Sequence, residues 1–185
     1  EKLEENVFDV IQSGSICFIN LDGLGHLLHT DSESTITMLN RVFTYLDALC
    51  DKYKCQKIKS FGTVYLVIHT ETDRHYELLA QFAIEALDYS DMILTDIGDD
   101  ASTKIGMNTG RFCAGVLGSS KLLYDVFGDA VNVASRMMTT CEKGKIQVSQ
   151  TLCGLLQNQF NLTPRGTIQV KGKGTLETWY LESSK

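Results

Sequence analysis

The 185-residue chain has little of several features that define special classes of protein. It has one proline and no low-complexity tract, which argues against a flexible linker between domains. No run approaches the ~18 apolar residues that a membrane-spanning helix needs, and no secretory signal peptide opens the chain. The phosphate-binding string GxxxxGKS/T is absent as well. These absences favour one globular domain with no membrane span in this segment.

A basic face is the next feature that the sequence lacks. The chain has 17 lysines and arginines against 23 acidic residues, so its net charge is -6. A phosphate backbone needs an excess of positive charge, which argues against nucleic acid as a partner. A single nucleotide needs only a few local cations, and that class of ligand stays open.

Metal-binding patterns are also missing. None of the six cysteines has CxxC spacing, and the four histidines form no HxxxH pair. The close pair Cys50 and Cys55 is open to a metal or disulfide role, but a helix end entering a strand is preferred. The sequence thus predicts reduced, mostly buried thiols in a reducing compartment.

What is present is a mixed pattern of strands and helices. Helices are predicted from about Ser34 to Tyr53 and from about His75 to Leu94, because apolar residues recur there at helical spacing. Strands are predicted at residues 15–22, within 56–70, at 103–109 and 111–117, near Ile146, and at 167–170 and 178–181. The expected fold is an α/β sandwich with helices packed on a mainly antiparallel sheet. Residues 1–14 are predicted to be a helical stub before a domain of residues 15–185, cut from a longer polypeptide.

The most informative string is YDVFGDAVNVASRM, residues 124–137. It predicts a strand end that passes through Gly128 into a helix, on which Asn132 and Arg136 share one face because they are four residues apart. An amide beside a guanidinium suits an anionic, hydroxyl-bearing ligand such as a nucleotide, and Asp125 just before the turn is placed to read a base. The alternative is an ordinary amphipathic helix whose polar residues are merely solvated.

This string closely resembles the signature of class III nucleotidyl cyclases. Residues 105–129 resemble the same family's strand-hairpin-strand, and the resemblance extends from Ile16 to Leu181. It implies that two such domains pair head to tail and share each nucleotide site at their interface. It also implies that two aspartates of one domain hold two metal ions, which activate the ribose 3′-hydroxyl for in-line attack on the α-phosphate.

The family's two metal-binding positions are altered in this sequence. FINLDGL, residues 18–24, puts Asn20 where the family has the first aspartate, and KIKSFGTVY, residues 57–65, puts Thr63 where it has the second. An amide and a hydroxyl are weak ligands for hard cations, which prefer carboxylates. Asp22 is either a shifted metal ligand or a residue that enters a turn before Gly23, and the second interpretation is preferred. The predicted metal set of this chain is therefore empty.

The rest of the site matches the family. The resemblance implies a catalytic pair of Asn132, which orients the ribose, and Arg136, which stabilises the transition state. The implied substrate-binding residues are Lys59, Asp125, Val126 and Lys171 of VKGKG (residues 170–174), with Lys173 as second candidate for the triphosphate. Asp125 can accept from the adenine amine and Lys59 can donate to a ring nitrogen, which favours ATP over GTP. Family guanylyl cyclases typically carry Glu and Cys at these two positions.

Lost metal ligands beside retained nucleotide residues resemble the C2-type half of an adenylyl cyclase. The chain is then expected to convert ATP to cyclic AMP and pyrophosphate only with a C1-type partner, which holds two Mg²⁺ or Mn²⁺ ions. The second, degenerate site, with Asn20 and Thr63, can take a regulator in this family. Two alternatives remain: an inert pseudocyclase module that pairs and senses nucleotide, and an engineered or atypical homodimeric enzyme. The expected location is the cytoplasm, free or as the cytosolic domain of a membrane protein.

Overall fold

A computed structural model describes residues 8–98, 100–118 and 121–185 of the chain. The strands of this part are β1 (Phe8–Asp22), β2 (Gln56–Phe61), β3 (Val64–His69), β4 (Ser102–Leu117), β5 (Leu123–Phe127), β6 (Lys145–Ser149), β7 (Phe160–Val170) and β8 (Gly174–Ser184). The helices are α1 (Gly25–Thr30), α2 (Ser32–Tyr53), α3 (His75–Thr95), α4 (Asp129–Thr139) and α5 (Gln150–Leu156). No helix in these ranges is long and apolar enough to cross a membrane.

The strands form one sheet in the order β2-β3-β1-β4-β6-β8-β7, and β5 pairs with the outer half of β4. The β4–β6 pair is parallel and the other pairs are antiparallel. This arrangement confirms the predicted α/β fold with helices on a mainly antiparallel sheet. The predicted strands at 103–109 and 111–117 are one continuous strand, β4.

Both faces of the sheet are buried, because side chains alternate along each strand. Cys17, Ile19 and Leu21 of β1 join the core that α2, α3 and α5 cover. Ile16 and Phe18 point the other way, into a core that α4 covers. The helix of the 124–137 string therefore lies alone on its face of the sheet, apart from the other long helices.

Helix α4 lies unusually close to β4. A Cβ atom added at Gly106 would lie 1.9 Å from the backbone nitrogen of Met138, so only a residue without a side chain fits there. Asn108 of β4 donates from Nδ2 to the carbonyl of Ala130 at 2.9 Å, and Ser149 donates to Oδ1 of Asn108 at 2.6 Å. The close packing and this buried hydrogen bond fix the height and rotation of α4 on the sheet.

The helical assignment of the N-terminal stub is wrong where the structure describes it. Residues 8–14 belong to β1 and not to a helix, and residues 1–7 lie outside the described part. Phe8, Val10 and Ile11 pair with residues 112–115 of β4, with a register shift before Gly14. Hydrogen bonding to an exposed strand edge outweighs the local helical pattern, so the predicted division at residue 14 falls inside a strand. Its use as a domain boundary stays a prediction.

Candidate nucleotide site

Helix α4 presents Asn132 and Arg136 to solvent. Its first residue follows Gly128, whose φ of 131° lies in the region that favours glycine. Val131, Ala134 and Met138 are buried against the sheet, so the polar pair occupies the opposite face. Nη2 of Arg136 donates to the carbonyl oxygen of Gln169 on β7 at 3.4 Å, which orients the guanidinium along the helix surface. The predicted juxtaposition of amide and guanidinium is therefore present.

A second part of the candidate site is an ion pair between β2 and β5. Nζ of Lys59 lies 2.6 Å from Oδ2 of Asp125, and it also lies 5.1 Å from the ring centroid of Phe61. The other carboxylate oxygen, Oδ1, accepts from the backbone N–H of Val126 at 2.8 Å. Both charged groups remain partly exposed, so a ligand can reach a donor and an acceptor side by side. The two residues that the resemblance assigns to the base thus lie together.

Val126 lies differently from its neighbour. Its side chain is 5% exposed and packs in the core beneath α4. Its backbone pairs with Ala114 of β4 and its N–H is bonded to Asp125. A side-chain contact between Val126 and a ligand is therefore not available in this conformation, and a contact through its backbone stays a prediction.

The turn of residues 171–173 between β7 and β8 carries the two candidate phosphate lysines. Lys171 is exposed and forms no ion pair with any described residue. Lys173 instead places Nζ 2.5 Å from Oδ2 of Asp129, the first residue of α4. Asp129 was not identified from the sequence, although an acidic residue in the first turn of a helix is a common stabilising feature and was available as a signal.

The two altered metal positions face each other. Oγ1 of Thr63 donates to Oδ1 of Asn20 at 2.8 Å, and the backbone N–H of Leu21 donates to the carbonyl of Thr63 at 3.0 Å. The two side chains are hydrogen-bonded to each other, and neither offers a carboxylate. Within the described ranges, no group of three or more His, Cys, Asp or Glu residues is arranged to hold a metal ion. The residues at this position do not fit Mg²⁺ or Mn²⁺.

Asp22 has a structural partner. Its Oδ2 lies 2.7 Å from Nζ of Lys104 on β4. The hydrogen bond from Lys104 holds the pKa of the Asp22 carboxyl below its ordinary value, although partial burial opposes the shift. The ion pair supports the interpretation of Asp22 as a residue of the strand end and not as a displaced metal ligand.

The comparisons with known proteins identify the family of the chain. The model of the adenylate and guanylate cyclase catalytic domain matches residues 8–183. The chain therefore belongs to the class III adenylyl and guanylyl cyclase catalytic domain family.

Similar proteins include two curated relatives that are much longer than this chain and one solved catalytic core of similar extent. An adenylate cyclase of Mycobacterium tuberculosis is 35% identical over 187 residues, which cover 98% of this chain and 42% of that protein. Human atrial natriuretic peptide receptor 2 is 34% identical over 193 residues, which cover 98% of this chain and 18% of that protein. The catalytic core of a rhodopsin-guanylyl cyclase with converted specificity, solved with ATPαS, superposes with a TM-score of 0.87 at 26% identity and covers 98% of this chain and 100% of that one. The chain thus spans less than half the length of these two curated relatives.

Proposed function

We propose that this chain is the C2-like half of an adenylyl cyclase, which converts ATP to cyclic AMP and pyrophosphate together with a C1-like partner domain. One observation carries the proposal: the groups for base, ribose and phosphate are present and exposed, whereas Asn20 and Thr63 are hydrogen-bonded to each other at the metal positions. We assign the Mg²⁺ or Mn²⁺ ions to the partner domain. The chain alone is expected to be inactive.

The preference for adenine follows from hydrogen-bonding patterns. The Lys59 ammonium only donates and the Asp125 carboxylate only accepts, which matches the ring nitrogen and the exocyclic amine of adenine. Guanine presents a donor and a carbonyl at the corresponding edge, so both contacts would be mismatched. Each mismatched polar group costs about 1–3 kcal/mol when it is desolvated, which is enough to select ATP.

The remaining groups act on the sugar and the phosphates. Asn132 has the donors and acceptors to orient the ribose, so that its 3′ oxygen faces the α-phosphorus. As that oxygen bonds to phosphorus and the bond to pyrophosphate breaks, Arg136 supplies a fixed positive charge where negative charge develops. Lys171 is a mobile point charge that suits the leaving pyrophosphate.

A partner domain is supported by exposed apolar surface. Large apolar side chains are exposed on β2, β5 and the adjoining hairpin, near Lys59 and Asp125; they are Phe61, Leu117, Leu122, Leu123 and Phe127. We call these five residues the hairpin patch. Clustered exposed apolar residues favour a protein interface, and the hairpin patch borders the base-reading pair Lys59 and Asp125.

The substrate and the cysteines support a location. With ATP as substrate and six free cysteines in the structure, we assign the domain to the cytoplasm, free or attached to a membrane protein.

The closed Asn20–Thr63 pair also favours a second candidate function. An inert module would pair with another cyclase domain and bind nucleotide without turning it over. Such a module has no need of an exposed Arg136 or of a free Lys171, whereas catalysis uses both. The degenerate site that contains this pair is also a candidate site for a regulatory ligand.

Complementation separates the two candidates. The chain is mixed with a homologous adenylyl cyclase domain that has both metal aspartates but has its own α4-equivalent asparagine and arginine replaced by alanine, and cyclic AMP is measured by mass spectrometry. We expect product from the mixture and none from either domain alone. The Arg136→Ala variant should lower the rate by about a hundredfold to a thousandfold. Binding of the partner without any product would support the inert module.

A further inference from the structure

The turn at residues 171–173 contains two lysines, and the family resemblance ranks Lys171 before Lys173 without giving a physical reason. Both belong to VKGKG and both are long, flexible cations. In the structure they differ: Nζ of Lys173 lies 2.5 Å from Oδ2 of Asp129, and Lys171 is exposed without an ion pair among the described residues. The choice between them therefore depends on Asp129.

Asp129 is fixed by its place in the fold. It is the first residue of α4, directly after Gly128, whose φ is positive, and a carboxylate is favoured at this end of a helix. Asn132 and Arg136 follow it on the same short helix. A group held by Asp129 is therefore held at a defined position relative to both catalytic residues.

The strands on either side of the turn are anchored to α4, but the turn itself has few anchors. Val133 and Met137 of α4 pack with Ile168 of β7 in a small apolar cluster, and Val170 and Leu176 pack against it. Beyond Val170, the N–H of Lys173 donates to the carbonyl of Val170 at 3.0 Å and closes the turn. Among the described residues, no side-chain hydrogen bond or ion pair other than Asp129–Lys173 joins residues 171–173 to α4.

We propose that Asp129 is a positioning residue for the polyphosphate contact: it engages Lys173, so that Lys171 is the lysine left to bind the triphosphate. The inference rests on the proposed function, because it concerns the same site. The Asp129–Lys173 pair also fixes the turn with respect to Asn132 and Arg136. Because its side chains are 65% and 37% exposed, the pair contributes little to the stability of the domain, and its effect is local and sensitive to salt.

A double-substitution experiment tests which lysine serves the substrate. In the complemented enzyme, Lys171→Gln should raise the KM for ATP by about tenfold, the effect of losing a charge-assisted contact to phosphate. In the Asp129→Asn background Lys173 is released and can take over, so the same Lys171→Gln substitution should raise KM by only about twofold to threefold. An equal KM penalty in both backgrounds would overturn the proposal.

Removal of Lys173 provides the control. In a Lys173→Gln background no second lysine is left to take over, so Asp129→Asn should no longer reduce the KM penalty of Lys171→Gln. If Asp129→Asn still reduces the penalty without Lys173, release of Lys173 is not the cause and the proposal fails.

Hydrogen exchange tests the position of the turn without any activity. In the chain alone, Asp129→Asn should speed amide exchange at Lys173 several-fold and leave the thermal unfolding temperature unchanged. Glu182→Gln is the matched control, since it removes the exposed Lys145–Glu182 pair elsewhere on the sheet. Unchanged exchange at Lys173 in Asp129→Asn would contradict the role of Asp129, whether or not the complemented enzyme is active. An inactive complemented enzyme would instead count against the proposed function.

Discussion

At the residue scale, the most consequential contacts join residues that are far apart in sequence. Lys59 and Asp125 are 66 residues apart and Asn20 and Thr63 are 43 apart, yet each pair is in hydrogen-bond contact. The family motifs in the sequence identified all four residues. They could not show that these residues pair within one chain, because a cross-strand contact depends on strand order and register, which no local pattern encodes.

The Lys59–Asp125 pair predicts how nucleotide preference can be changed. Lys59→Glu combined with Asp125→Cys replaces the donor with an acceptor and removes the acceptor, which suits guanine. In the complemented enzyme, the ratio of cyclic AMP to cyclic GMP formed from equal ATP and GTP should fall at least about tenfold. Product analysis by mass spectrometry measures this ratio.

Lys57→Glu is the control for that experiment. Lys57 lies on the same strand but pairs with Asp47 at 2.8 Å, away from Asp125. The control should leave the product ratio unchanged. A double variant that retained the original ratio would show that this pair does not read the base.

At the element scale, helices α2 and α3 were predictable because their apolar spacing is regular. Their observed bounds differ from the predicted ones by at most two residues at each end. Residues 8–14 were not predictable, since pairing with β4 decided their conformation. Helix α5 was not predicted, because seven residues are too few for a periodic pattern of apolar side chains. The placement of α4 alone on one face also depends on tertiary packing.

The contact of α4 with β4 predicts a large effect at Gly106. Gly106→Ala puts a Cβ within 1.9 Å of the Met138 nitrogen, and the backbone on both sides is held by hydrogen bonds. The helix must shift, so we expect the free energy of unfolding to fall by at least about 2 kcal/mol in a urea titration.

Gly154 of α5 offers a matched glycine. A Cβ there meets nothing within 4 Å, so Gly154→Ala should raise stability by about 0.4–1 kcal/mol. Equal effects at the two glycines would contradict the role of Gly106 in seating α4.

The junction of β1 and α3 predicts a dependence of stability on pH. Thr109 donates to the carbonyl of Gly14 and Ser15 donates to Thr109, so Ser15 accepts from Nδ1 of His75 at 2.8 Å. Nε2 is then the acceptor for Ser13 at 3.0 Å. This network holds a neutral imidazole, and burial lowers the pKa of His75 below its ordinary value of 6.5.

The sign of the effect follows from proton binding. As the pH falls through about 6.5, the unfolded chain takes up a proton at this histidine before the folded chain does. Stability is therefore greatest above that pH and falls until the pH passes the lowered pKa of the folded chain. His69, whose pKa burial also lowers, acts in the same direction. Urea titrations at about pH 7.5 and at about pH 5, on either side of the ordinary histidine pKa, should show this fall. His75→Gln should make the slope shallower, and an unchanged slope would contradict the assignment.

At the scale of the whole molecule, the proposal requires a second domain on the hairpin patch. Leu123, on β5, is 59% exposed and lies two residues before Asp125. Leu123→Asp should weaken association with the partner domain at least about tenfold without changing the unfolding temperature, because the residue is exposed in the single chain. Titration of the partner into the chain, read by cyclic AMP formation and by light scattering, measures this association.

Leu155→Asp is the control for the interface. Leu155 is 43% exposed but lies on α5, on the other face of the sheet from α4. It should leave association unchanged. Equal weakening by both substitutions, or by neither, would contradict the assignment of the hairpin patch as the interface.

In the proposed function, the missing carboxylates at Asn20 and Thr63 make this chain half of a site. The most direct measurement is cyclic AMP formation by the Asn20→Asp, Thr63→Asp double variant, incubated alone at high concentration with ATP and Mn²⁺. We expect product from the double variant and none from the unaltered chain, because a pair of altered chains then carries every group. Product from the unaltered chain alone, or none from a folded and paired double variant, would contradict the proposed function.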